Sequence, residues 1–118
     1  MITATFKRND ETRENSLVIK GHAGQAVKGQ DIVCASASIL AYTVAQIVKA
    51  MEHHGDLECE PVVELNDGDA TIICRCKNNL LYTEASHAYF VAQVGYSLLE
   101  HNYPQFVELN TVGEPEKA

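Results

Sequence analysis

Asn66-Asp67-Gly68-Asp69 stands between two β-rich runs, Val62-Val63-Glu64-Leu65 and Ala70-Thr71-Ile72-Ile73-Cys74-Arg75-Cys76. A cluster of turn formers around one glycine folds the chain back on itself, so the two runs are expected to pair as an antiparallel hairpin. This hairpin constrains everything else, because a sheet with one apolar face needs a second layer to cover it.

The other elements supply that layer. Ile2, Ala4 and Phe6 alternate with Thr3, Thr5 and Lys7, which reads as a half-buried strand ending in the polar run Arg8-Asn9-Asp10-Glu11-Thr12. Ser16-Leu17-Val18-Ile19-Lys20 is β-rich and stops at Gly21, so a first hairpin should deliver His22 to a sheet edge or end. From about Ile32, the positions Val33, Ala37, Leu40, Val44, Ile47, Val48 and Met51 recur at helical spacing, with Asp31 at the N-cap position and Gly55 as a stop. Thr83-Glu84-Ala85-Ser86 opens a second helix with Val91, Val94, Leu98 and His101 along one side and Phe90 adjacent; Asn102-Tyr103-Pro104 ends it. Phe106-Val107-Glu108-Leu109 reads as a last strand. The order strand, strand, helix, strand, strand, helix, strand predicts an α+β fold: a mostly antiparallel sheet of about five strands with two helices packed on one face. At 118 residues the chain is expected to form one domain over residues 1–112, followed by a mobile polar tail over 113–118.

Nine basic against 16 acidic residues give a formal charge of −7, which disfavours nonspecific contact with a nucleic-acid backbone or an anionic membrane and suits a basic protein or peptide partner. The same charge also serves plain solubility. No stretch reads as the ~20 apolar residues of a membrane span, and Met1-Ile2-Thr3-Ala4-Thr5-Phe6-Lys7 lacks the basic-then-apolar order of a signal peptide, so a cytoplasmic location is expected. In that reducing compartment Cys34, Cys59, Cys74 and Cys76 stay thiols. Cys74-x-Cys76, with Cys59 and His53-His54, is the one constellation with zinc-ligand chemistry, but its spacing is loose. Alternation along the strand puts both sulfurs on the side of Ile72, where buried structural thiols belong, so no metal is expected.

Gly21-His22-Ala23-Gly24-Gln25-Ala26-Val27-Lys28-Gly29-Gln30-Asp31-Ile32-Val33-Cys34 carries the chemistry: a histidine and a cysteine flank a glycine-punctuated loop that opens onto a helix. A free thiol is only a few per cent thiolate at neutral pH, and a helix N-terminus contributes roughly 1 kcal/mol toward ionising it. An imidazolium ~4 Å from a sulfur is worth about 4 kcal/mol at an effective dielectric of ~20, so the histidine matters more than the helix. Read alone, Cys34 is equally a buried structural thiol and His22 a solvated loop residue.

The run Gly21-His22-Ala23, then Gly29-Gln30-Asp31-Ile32-Val33-Cys34-Ala35-Ser36-Ala37-Ser38, resembles the signature of the ribosomal-processing cysteine protease (Prp) family over about 18 residues, the His22 to Cys34 spacing included. The resemblance implies a small cytoplasmic endopeptidase, forming a homodimer, that removes the N-terminal extension of a basic large-subunit ribosomal protein after an apolar, aromatic-containing sequence. It puts the nucleophile on Cys34, the base on His22 and supporting polar roles on Asp31 and Ser38. Substrate contacts are expected at Gly21, Gly24, Gly29 and Ala35, around the same loop and helix start. Such hydrolysis calls for no cofactor. The oxyanion would be held by backbone N–H groups at the helix start, those of Cys34 and Ala35. Asp31 has two roles open, capping the helix or orienting His22. Ser38 lies one turn past Cys34, where its hydroxyl can reach the sulfur, His22 or a helix carbonyl. Gly24 and Gly29 bracket a segment that reads as a flap over bound peptide or as an ordinary connector. The contrasting function is a noncatalytic module that binds a peptide or ribosomal protein with the same fold.

Overall fold

The computed structural model describes residues 1–22 and 31–113; the expected flap over 23–30 and all of the expected tail over 113–118 except Gly113 lie outside the described residues. The elements are β1 (Ile2–Asn9), β2 (Glu14–Lys20), α1 (Ile32–His53), β3 (Val62–Asn66), β4 (Asp69–Arg75), α2 (Asn79–Asn102) and β5 (Val107–Val112). They build a five-stranded sheet in the order β3-β4-β2-β1-β5, antiparallel at every pair except the parallel β1–β5. The fold is the expected α+β one, and the parallel pair makes the sheet mixed. α2 carries the chain across the sheet face and returns β5 alongside β1 in the same direction.

Alternation along the strands sorts the residues between the faces. Phe6, Leu17 and Ile72 lie side by side across β1, β2 and β4 and are buried beneath the helices. One register step toward the site, Ala4, Ile19 and Ala70 form the next row. On α1, Val33, Ala37, Ala41, Val44, Ala45, Val48 and Met51 are buried, while Leu40 is half-buried and Ile47 exposed. α1 is also a correction: with 22 residues and a mean hydropathy of 1.6 it is long and apolar enough to cross a membrane by length and composition, although its inner face belongs to the core of this domain.

α2 begins four residues earlier than its sequence suggests. Asn78 caps it, its side chain accepting the Leu81 N–H at 2.9 Å, so Asn79 to Tyr82 form a first turn where Thr83 was the expected start. The inner face is Tyr82, Ala85, Tyr89, Ala92 and Tyr96, whereas Phe90, Val91, Val94 and Leu98 are exposed. Tyrosines serve as core residues here because each hydroxyl finds a partner. Tyr82 donates to Asp10 Oδ1 at 2.6 Å, Tyr89 to the Ile72 carbonyl at 3.0 Å and Tyr96 to the Ala37 carbonyl at 2.6 Å. The last of these ties α2 to α1 one turn beyond Cys34.

Cys74 and Cys76 are buried on the helix side, as the alternation predicts. Burial first, and the neighbouring Cys76 second, push the Cys74 thiol up to about 12. In the unfolded chain the same thiol ionises near ~8.5, so above that pH the unfolded state holds fewer protons and gains on the folded one. Stability should therefore fall by about 1.4 kcal/mol per pH unit between about pH 9 and the folded value. Urea titrations at pH 8, 9 and 10 should show this slope, and Cys74→Ala should flatten it; an unchanged slope in the variant would place the alkaline loss elsewhere.

Candidate active site

His22 is delivered by the end of a central strand. Lys20 closes β2 between Thr3 and Asp69, and Gly21 then turns out of the sheet at φ +93°. A Cβ at Gly21 would drive into the Met1 carbonyl, so only glycine fits this exit. The Gly21 N–H donates to the Gly68 carbonyl at 2.7 Å, and Met1 N donates to the His22 carbonyl at 2.6 Å. The backbone leading to His22 is thus held on both sides while its side chain is exposed.

Cys34 is delivered by the start of α1. Asp31 is extended (φ −84°, ψ 107°), and its Oδ1 accepts the N–H groups of Val33 at 2.9 Å and Cys34 at 3.1 Å. Asp31 as a residue is only 6% exposed, so the cap is built into the structure and sets where the first turn begins. Cys34 stands half-buried in that turn, at the positive end of the helix dipole. Asp31→Ala should lower stability by about 1 kcal/mol, within the 0.5–2 range for lost caps, and Asp31→Asn should restore most of it. Equal losses for both variants in urea denaturation would mean that the charge, rather than the cap, is what counts.

Asp31 engages both N–H groups of the expected oxyanion hole. The Cys34 N–H is taken by Asp31 Oδ1, and the Ala35 N–H donates to the Asp31 carbonyl at 3.0 Å as the first helical bond. A capped terminus has few donors to spare, so these two N–H groups would serve an oxyanion only by giving up bonds to Asp31.

His22, Asp31, Cys34 and Ser38 all line one cavity of about 500 Å³, and Gly21 and Ala35 lie on its wall. Gly24 and Gly29 lie outside the described residues. Ser36 and Thr43 bond back to helix carbonyls at 2.7 Å; no such back-bond is seen for Ser38, which is exposed. The cavity has a second wall that sequence reasoning did not assign: Tyr42 and Ala41 on α1, facing Leu65 and the Asn66–Asp69 turn. Tyr42 follows Cys34 by two helical turns on the same face, a signal that was available. Leu65 had none, since only the folded hairpin brings it near.

The other cysteines take no part. Cys59 is exposed, Cys74 and Cys76 are buried, and no group of three His, Cys, Asp or Glu among the described residues could hold a metal ion.

The family model for cysteine protease Prp matches residues 1–108. The structure of an essential ribosomal processing protease Prp from S. aureus, in complex with a covalently linked product peptide, aligns with a TM-score of 0.71 at 29% identity, covering 94% of this chain and 99% of that one. SMU.848 from Streptococcus mutans aligns at 0.64 and 26%, covering 97% and 96%. The S. aureus protease in complex with a substrate peptide aligns at 0.62 and 25%, covering 94% and 99%. No protein of curated function matches the chain.

Proposed function

The chain belongs to the cysteine protease Prp family, and on that footing we propose that it is an endopeptidase that removes the N-terminal extension of a large-subunit ribosomal protein through a Cys34–His22 thiolate–imidazolium pair. The observation that carries this reading is the opening of both side chains onto one cavity, although twelve positions part them in the sequence. The sulfur attacks the scissile carbonyl carbon, His22 gives its proton to the leaving amine, and a water that His22 deprotonates then hydrolyses the thioester, releasing the carboxyl product and restoring the thiolate–imidazolium pair. Asp31 fixes the helix start that presents the sulfur, and Ser38 offers a hydroxyl on the same face.

The substrate reading rests on chemistry of the same kind. Tyr42, Ala41, Leu65, Ala70 and Ile19 give the cavity an apolar wall, which suits the apolar and aromatic residues expected before the scissile bond. A net charge of −7 suits a basic ribosomal partner in the cytoplasm. The exposed row Phe90, Val91, Val94 and Leu98 on α2 is a surface fit for the homodimer that the family likeness implies; a purely monomeric species in sedimentation equilibrium would remove that part of the reading.

Incubation with the host's ribosomal proteins, followed by intact mass spectrometry, tests the activity. One protein should lose an N-terminal segment. Binding of the same protein with no change in mass would favour the noncatalytic module.

A further inference from the structure

The turn between β3 and β4 has no part in the chemistry above, yet it lies directly against the histidine. Gly68 sits at φ +87°, and a Cβ built on it would lie 2.8 Å from His22 Nε2, 3.4 Å from Cε1 and 3.6 Å from Cδ2. Real Cβ atoms essentially never approach within 3.0 Å of another heavy atom, so the edge of the imidazole occupies the space where any other residue would carry its side chain. The same glycine accepts the Gly21 N–H at 2.7 Å, which fixes the turn to the backbone of His22's own neighbour. Turn and His22 backbone therefore share one frame, against which the ring rests.

The collision would not be absorbed by the sheet. His22 is exposed, and its ring ends a rotatable side chain, whereas Gly68 is held between two paired strands. A methyl group at position 68 would turn the ring away and leave the hairpin in place.

We propose that Gly68 is a positioning residue for His22: its bare Cα leaves room for the imidazole to rest with Nε2 toward the turn, so that Nδ1 is the nitrogen directed away from it. This rests on the reading of His22 as partner to Cys34, but the position of the ring can be measured without that reading. Gly55 provides a matched control, since it has a similar φ of +78° and a Cβ there would meet nothing within 4 Å. Gly55→Ala thus reports the strain of a side chain at positive φ alone.

The test compares Gly68→Ala and Gly55→Ala by two readouts: the His22 imidazole resonances, and the rate of Cys34 alkylation across pH. Gly68→Ala should move the His22 resonances and slow alkylation near neutral pH by about tenfold or more, with a changed pH profile, while Gly55→Ala leaves both as in wild type. In a His22→Ala background, adding Gly68→Ala should have no further effect. Should Gly68→Ala fail to fold, Gly68→Asn keeps the Cβ in a residue that tolerates positive φ. Unmoved His22 resonances in a folded variant, or slowing that persists without His22, would overturn the proposal. If His22→Ala alone leaves Cys34 reactivity intact, the pairing of the two residues fails, and the resonances still decide the role of Gly68.

Discussion

Cys34→Ala is expected to abolish cleavage, lowering kcat on the order of 10⁶-fold, as for proteases stripped of their nucleophile, while leaving the fold intact. The fold should survive because the helix start depends on Asp31 and backbone N–H groups, none of which the substitution touches. Alanine is also the best helix former. The sulfur is half-buried at the cavity wall rather than in the core, so its loss opens no large void. Intact mass of a substrate peptide over time, with thermal unfolding in parallel, checks both halves. Cys59→Ser is the internal control, since that exposed thiol lies outside the cavity and its loss should leave the rate unchanged. Substantial turnover by Cys34→Ala would place the nucleophile elsewhere.

His22→Ala should lower kcat by about 10²–10⁴-fold, the range for a lost general acid–base group, with KM nearly unchanged. Two contributions are lost at once. Without the imidazolium the sulfur forfeits an attraction of about 4 kcal/mol at contact distance, several times what the helix terminus supplies. The leaving amine also loses its proton donor. Peptide binding should persist, because the apolar wall of Tyr42, Leu65 and Ala70 belongs to other elements. A fall in affinity with kcat intact would recast His22 as a binding residue.

What the sequence revealed followed the range of the forces involved. The hairpin at Asn66–Asp69 and the Asp31 cap were legible because a turn and a cap are settled by neighbours within four residues. His22 and Cys34, which both line the cavity, were legible through the spacing of a signature, while its opposite wall was not: Leu65 comes near only after β3 has paired with β4. α2 misled in two ways. Asn78 looks like a turn residue until its side chain is seen to accept the Leu81 N–H, which moves the helix start from Thr83 to Asn79. Valine and leucine also look more like core than tyrosine does, yet Tyr89 and Tyr96 reach backbone carbonyls and go inside, leaving Val91 and Leu98 out. The parallel pairing of β5 with β1 had no local signal, since it depends on where a 24-residue helix sets the chain down.

The most direct test of the Cys34–His22 pair is the alkylation rate of each of the four cysteines near neutral pH, mapped by peptide mass spectrometry in wild type and in His22→Ala. Cys34 should react fastest in wild type and slow selectively in the variant, while Cys59 reacts alike in both and the buried Cys74 and Cys76 stay silent until the protein unfolds. A Cys34 no faster than Cys59, and indifferent to the loss of His22, would contradict the account.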